Sequence, residues 1–148
     1  MNMEIKFYES TDLWEFEKNL YEKWNPISNH YNLLGVNLSI IIGFENDQKE
    51  TKDIFTIFVM HEQDYNDEVL NFTTPTWIVK GEFSWSRVYG AIENYVDSCN
   101  DKNEEKSFMN LRRRMNWEFE GYEKTTEVKK EFITWIEMND TLSSEGET

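Results

Sequence analysis

Histidine, cysteine and proline are scarce in this chain, which has two, one and two of them among 148 residues. Cys99 has no second cysteine to pair with, so no intramolecular disulfide can form, which fits a reducing compartment. The sequence also lacks an apolar run long enough to cross a bilayer, and its first ten residues show no signal-peptide pattern. We therefore expect a soluble, cytoplasmic protein.

The motifs of common catalytic and cofactor chemistry are missing as well. The six glycines are scattered, with no G-x-G-x-x-G, Walker or G-x-S-x-G pattern. His61, Glu62 and Asp64 are possible metal ligands, but the chain lacks the second histidine that the helical zinc motif H-E-x-x-H requires. We predict no catalytic, cofactor-binding or metal site. The alternative is a small metal-dependent enzyme that uses carboxylates around His61.

Basic residues are few: 15 Lys and Arg stand against 29 Asp and Glu, a formal net charge of −14. Such a surface repels phosphate backbones, so direct nucleic-acid binding is disfavoured. Arg112, Arg113 and Arg114 are consecutive and point about 100° apart on a helix, so they cannot form one basic patch. The charge instead favours a basic protein partner, and an acidic adaptor or DNA-mimic protein is a further alternative.

Aromatic side chains are abundant, with six Trp, seven Tyr and ten Phe. They supply ample material for a core in a chain the size of one domain. We predict a single domain over residues 1–140. Residues 141–148 are small, polar and acidic, and we expect them to form a flexible tail.

Alternating and continuous apolar patterns predict the strands. A short strand is expected in the segment MEIKFYES, residues 3–10, and two longer ones over residues 35–45 and 53–62. The connection between the two longer strands is short and polar, so we expect an antiparallel hairpin. A fourth strand is predicted over residues 76–81, after an irregular acidic loop.

Apolar residues at helical spacing predict the helices. One is expected between Ser10 and Pro26, one over residues 84–99 with Cys99 on its buried stripe, one beginning near residues 108–115, and a last one over 128–138. Strands followed by helices predict an α+β domain, with a mostly antiparallel β-sheet and helices packed on one face.

The segment MNWEFEGYE, residues 115–123, alternates aromatic and acidic side chains. Such alternation is typical of a half-buried strand, with Trp117 and Phe119 inside and Glu118 and Glu120 facing water. The same pair of carboxylates could meet Arg or Lys of a partner.

Residues 77–99 and 104–123 resemble the Imm8-type immunity proteins of bacterial polymorphic-toxin and contact-dependent growth inhibition systems. The resemblance rests on a strand leading into an aliphatic helix, a second helix and a closing W-E-F-E-x-Y signature, in which Gly121 replaces the usual acid. It covers about residues 36–123, and the turn Thr74–Pro75 followed by Trp77 is similar too.

The resemblance implies an inhibitor that binds and neutralises a cognate toxin domain, with no catalysis and no cofactor. Because the chain is acidic, we expect a basic toxin of the nuclease class, held by stoichiometric protein–protein contact. The candidate contact residues are Glu118, Glu120, Asp64, Asp67 and Glu68.

Overall fold

Two long strands with branched and aromatic apolar side chains pair at the centre of the protein. Strand β2 (Gly35–Phe44) runs antiparallel to β3 (Lys52–His61), with Ile40 opposite Phe55. The predicted hairpin strands are thereby confirmed. The computed structural model describes residues 2–10, 26, 34–45, 51–66, 73–122 and 126–138.

Four further strands extend this pair into one mixed sheet within the described residues. Strand β1 (Met3–Glu9) lies antiparallel to β2, β4 (Thr76–Val79) lies parallel to β3, and β6 (Ile133–Ile136) lies parallel to β4. The two-residue strand β5 (Asn116–Trp117) pairs antiparallel with the part of β3 that β4 leaves free. The α+β class is confirmed, and the sheet combines antiparallel pairings with the two parallel pairings of β4.

The two α-helices found in the described ranges each begin at a polar capping residue. Helix α1 (Trp85–Cys99) starts after Ser84, whose Oγ accepts the Arg87 N–H at 3.2 Å. Helix α2 (Glu104–Arg112) starts after Asn103, whose Oδ1 accepts the Lys106 N–H at 3.1 Å. These hydrogen bonds satisfy backbone donors that have no partner inside the helix. The second helix therefore begins earlier than its apolar residues predict, and it ends before Met115.

The main core lies between one face of the sheet and the two helices. Alternate residues of the strands point into it, which is the period of a half-buried strand. Helix α1 contributes the stripe predicted from the sequence, including the buried Cys99. The helices thus pack on one face, as expected. The core side chains from the sheet include Leu38, Ile40, Phe55, Ile57, Val59, Trp77, Val79 and Ile136.

The predicted last helix is wrong. Residues Ile133–Ile136 form strand β6, and the neighbouring β4 binds it through Thr76 N–H to Phe132 O at 2.8 Å and Lys80 N–H to Ile136 O at 3.0 Å. Ile136 is fully buried while Trp135 is 36% exposed, the alternation of a strand. Pairing with β4 satisfies the backbone hydrogen-bonding groups of this segment and buries Ile136. These contacts favour a strand although the apolar residues also fit helical spacing.

The fourth strand ends at Val79, before the expected residue 81. Gly81 has φ of 75°, a left-handed conformation that turns the chain toward α1. The helix predicted between Ser10 and Pro26 falls on residues outside the described part, as does the tail over 141–148, and the domain boundary at 140 stays a prediction. Neither helix of the described ranges has the length and apolarity needed to cross a membrane.

Trp77→Ala should lower the free energy of unfolding by about 3–5 kcal/mol, because it empties a buried aromatic site. Trp77 is 1% exposed, and its Nε1–H donates to Arg114 O at 3.0 Å. The measurement is urea denaturation followed by circular dichroism. Trp135→Ala is the matched control and should lose about 1 kcal/mol or less, since Trp135 lies at the surface. Equal losses in the two variants would contradict the assigned core.

Candidate functional site

The signature segment, residues 117–122, starts at the end of the two-residue strand β5 and continues as a tight turn. Glu118 N–H donates to Ile54 O at 2.9 Å, and the chain then folds back so that Glu120 N–H donates to Trp117 O at 2.8 Å. Gly121 has φ of 86°, where other residues are strained. The expected strand with two outward carboxylates is therefore wrong beyond Trp117. The left-handed backbone of this turn favours the glycine found there.

A chain of aromatic rings runs from the core to the surface through this turn. Neighbouring rings meet edge to face, with centroid distances of 5.5, 4.8, 5.0 and 5.3 Å. The ring of Phe55 is fully buried, whereas the rings of Phe119 and Tyr122 are 38% and 65% exposed. Edge-to-face contacts favour fixed ring orientations, so the exposed rings rest on a rigid base. We call these residues the aromatic chain: Phe55, Phe108, Trp117, Phe119 and Tyr122.

Glu120 lies between two cationic side chains, Arg112 and Lys130. Arg112 Nε donates to both carboxylate oxygens, at 3.1 and 3.2 Å, and Lys130 Nζ donates to Oε2 at 2.7 Å. The side chains of Arg112 and Lys130 are only 4% and 12% exposed. We call these three residues the ion cluster. The carboxylate of Glu120 serves the fold, since it neutralises cations that are almost buried.

The ion cluster changes the pKa of two of its members. Burial by itself would raise the pKa of Glu120, but hydrogen bonds from Arg112, Lys130 and the Trp117 N–H outweigh burial and lower it. Burial lowers the pKa of Lys130, and the bond to Glu120 opposes that change. Glu120 is thereby held as the anion that the two cations require.

Lys130 also links the ion cluster to the end of α2. Its ammonium donates to Arg112 O, at the last residue of the helix, and to Met115 O, three residues beyond it, at 2.9 Å. Next to it, Glu131 N–H donates to Arg113 O at 2.7 Å, and the Glu131 carboxylate pairs with Arg114 at 2.6 Å. The three arginines therefore pair with acids near the helix end: Arg112 binds Glu120, and Arg113 and Arg114 both bind Glu131. Together these contacts hold the segment before β6 against α2.

Glu118 and Asp64, the remaining predicted contact residues that the structure describes, lie far apart along β3. Glu118 is exposed beside Ile54, near the start of β3, while Asp64 is half-buried in a short 3₁₀ turn (Glu62–Asp64) after the end of β3. From Ile54 to His61 the strand spans about 23 Å at its usual rise. Asp67 and Glu68 lie outside the described residues.

His61 is a buried residue at the end of β3, with both ring nitrogens bonded. Nδ1 accepts the Gln63 N–H at 3.2 Å, so Nε2 carries the proton and donates it to Gly81 O. The Glu62 carboxylate accepts the Gly81 N–H. Among the described residues, no group of three or more His, Cys, Asp or Glu side chains is placed to hold a metal ion.

A groove of about 400 Å³ separates α2 from the turn of the signature segment. Its walls are largely apolar, and the exposed rings of Phe119 and Tyr122 form one side of it. Glu105 lies at its rim, and Arg112, the one cation among the described lining residues, is bound to Glu120. We call this depression the aromatic groove. Its principal lining residues are Glu105, Phe108, Met109, Trp117, Phe119 and Tyr122.

Residues 3–122 match the family described as Immunity protein 8 (Imm8). The chain belongs to the Imm8 family. The family match begins in β1, at residue 3. It therefore extends further toward the N-terminus than the resemblance seen in the sequence patterns, which begins at about residue 36. No curated protein and no solved structure matches the chain.

Membership of the Imm8 family makes this chain an immunity protein of a toxin–immunity system. It implies that the protein binds a cognate toxin, and it points to a binding protein rather than an enzyme. The matched region contains both helices, five of the strands named above, and the whole aromatic chain. The turn and most of the described groove lining thus lie inside the family match, whereas Thr126 of the lining, Lys130 and β6 lie beyond it.

Sequence reasoning missed the inward role of Glu120 and the part played by Lys130. The alternation in WEFE indicates two equivalent outward carboxylates, because it does not reveal where the strand ends. Gly121 was the available signal, since a glycine here allows the turn that redirects Glu120. No local pattern marks Lys130, which reaches Glu120 across the fold.

Glu120→Gln should destabilise the protein by about 2–3 kcal/mol, because it leaves Arg112 and Lys130 nearly buried with no counter-charge. Glu118→Gln is the matched control, two residues away, and should change stability by about 0.5 kcal/mol or less because Glu118 is exposed. Urea unfolding at pH 7 measures both. Equal effects would show that the ion cluster contributes nothing specific.

Stability should fall as the pH is lowered below about 5, toward and through the lowered pKa of Glu120. The sign follows because a carboxyl with a lower pKa in the folded state binds fewer protons there than in the unfolded state. Its contribution is present above the unfolded pKa and is lost on acidification. Thermal unfolding between pH 7 and pH 3 measures this loss, which should be smaller in Glu120→Gln than in Glu118→Gln.

Proposed function

We propose that this immunity protein neutralises a basic toxin domain, a nuclease by its charge, through one-to-one binding in the cytoplasm. The protein covers a surface that the toxin needs and turns over no substrate of its own. Family membership supplies the toxin–immunity role. The observation that supports the basic partner is the distribution of charge over the described surface.

The described surface has many carboxylates without a nearby cation. Most cationic side chains bind acids or carbonyls of the same chain, as Lys6, Lys80 and Lys106 do through Glu4, Glu137 and Asp101. A group of exposed carboxylates takes part in none of the ion pairs of the described residues. This group includes Glu93, Asp97, Glu104, Glu105, Glu118 and Glu127.

A nuclease is the class of toxin that this surface suits best. An enzyme that holds nucleic acid needs Lys and Arg to replace the counterions of the phosphates. The same basic surface is attracted by a protein with a formal net charge of −14. Blocking that surface prevents substrate entry. The bound immunity protein can cover the catalytic groups of the toxin, or it can lie beside them and exclude the substrate sterically.

Charge alone does not make such an inhibitor tight. Exposed ion pairs contribute about 0–1 kcal/mol each, so most of the affinity must come from buried apolar contacts. Glu118 and Asp64 are proposed as peripheral contacts, together with Asp67 and Glu68. Glu120 belongs to the same proposal only if the partner replaces Arg112 or Lys130 around its carboxylate.

Co-expression tests the proposed function directly. The partner is the C-terminal toxin domain encoded next to this chain, with its active site inactivated for purification. A tagged immunity protein should retain the domain in a one-to-one complex, and cells that express the active toxin should survive only when this protein is present. Failure of both assays would refute the toxin–immunity pairing, and a toxin without nuclease activity would refute the proposed class.

The association rate with the toxin should fall at least about tenfold between ~0.01 M and ~0.15 M ionic strength, because salt shortens the reach of the acidic surface. Stopped-flow fluorescence measures the rate. The dissociation rate should change much less, since it depends on close contacts. A flat salt profile would remove electrostatic steering from the proposal and leave the binding itself intact.

A further inference from the structure

The aromatic groove differs from the rest of the described surface in combining concave shape with exposed rings. Phe119 and Tyr122 are 38% and 65% exposed, although each also contacts the next ring of the aromatic chain. Large apolar side chains grouped in a depression are uncommon on a protein that has no partner. Aromatic residues of this kind are enriched where proteins bind one another.

The rings of the groove are held in place before any partner arrives. Trp117 Nε1–H donates to Asp53 Oδ1 at 3.2 Å, and the Arg112 guanidinium lies 5.6 Å from the centre of its ring. The ion cluster fixes Arg112 in turn. A partner that docks here loses little conformational entropy on the side of this protein, because the rings are already ordered.

We infer that the aromatic groove is the anchor site for the cognate toxin domain, and that it receives a large apolar side chain flanked by Lys or Arg. This inference rests on the proposed function. The groove volume of about 400 Å³ accommodates a few side chains of a protruding loop or helix. Glu105 at the rim is exposed and forms no ion pair within the described residues, so it can bind the flanking cation.

Charge argues against a second copy of this chain as the occupant. Each copy has a formal net charge of −14, so two copies repel each other at any contact between their acidic surfaces. The adjoining depression of about 690 Å³ contains Glu127 and Lys129, which offset one another. Among the described residues that line the groove, the uncompensated charge is that of Glu105, which is negative and favours a basic partner.

The first test compares two phenylalanines of similar exposure. Phe119→Ala should raise the Kd for the inactivated toxin domain at least about 30-fold, as expected for an interface anchor, and Tyr122→Ala should do the same. Phe7→Ala is the control, because Phe7 is 48% exposed on β1, away from the groove. It should change the Kd by less than about threefold. Isothermal titration calorimetry measures the Kd, and thermal melts verify that each variant is folded.

The second test compares two adjacent glutamates in the first turn of α2. Glu105→Gln should lower the affinity by about two- to fivefold and slow association, since a rim ion pair is weak. Glu104→Gln shares the effect on the helix dipole but does not line the groove, so its affinity should stay within about 1.5-fold of the unchanged protein.

A third measurement needs no variant. Hydrogen exchange of the complex should show new protection in residues 105–112 and 116–122. Toxin binding that leaves these amides unprotected, or that is equally tight in Phe119→Ala and Tyr122→Ala, overturns the inference and leaves the proposed function standing. The inference is also overturned, and the proposed function left standing, if the only effect of Phe119→Ala is to convert a dimer into a monomer. If the unchanged protein fails to bind the toxin domain, the proposed function itself is refuted.

Discussion

The pairing of Glu120 with Arg112 and Lys130 is the constraint on which the C-terminal half of the fold depends. Three parts of the chain meet there: the end of α2, the turn after β5 and the segment that leads into β6. Two cations can be almost buried at this point only because one carboxylate and two carbonyls surround them. The turn that delivers this carboxylate also brings Phe119 and Tyr122 to the surface. The stability of this region and the exposure of the two rings therefore depend on the same turn.

The acidic residues divide into two groups with different roles. Glu120 and Glu131 bind cations of the same chain and fix how the elements pack. Others, such as Glu105 and Glu118, contact water and are bound by no cation of the described residues. The formal net charge of −14 counts every acidic residue alike, so it does not reveal which of them are available to a partner. That distinction requires the three-dimensional structure.

Local patterns in the sequence were enough to predict much of the fold. The Ile-rich runs of β2 and β3 and the helical stripe of α1 follow from short-range periodicity, and both were found. Strand β6 was mistaken for a helix, because its apolar residues fit both periods and only its pairing with the distant β4 decides between them. The family signature indicated the right segment for a site. It did not show that Glu120 turns inward, since that orientation depends on the turn at Gly121 and on the contacts of Glu120 with Arg112 and Lys130.

The position of β6 at the outer side of β4 affects how the protein is made. Strand β4 has its neighbour β3 early in synthesis, but its other edge stays open until residues 133–136 have left the ribosome. Parallel pairing with a strand that is distant in sequence is slow, and until it occurs the open edge of β4 can form incorrect pairings. Assembly of the full sheet is therefore a late step, and a nascent chain that lacks β6 cannot complete it.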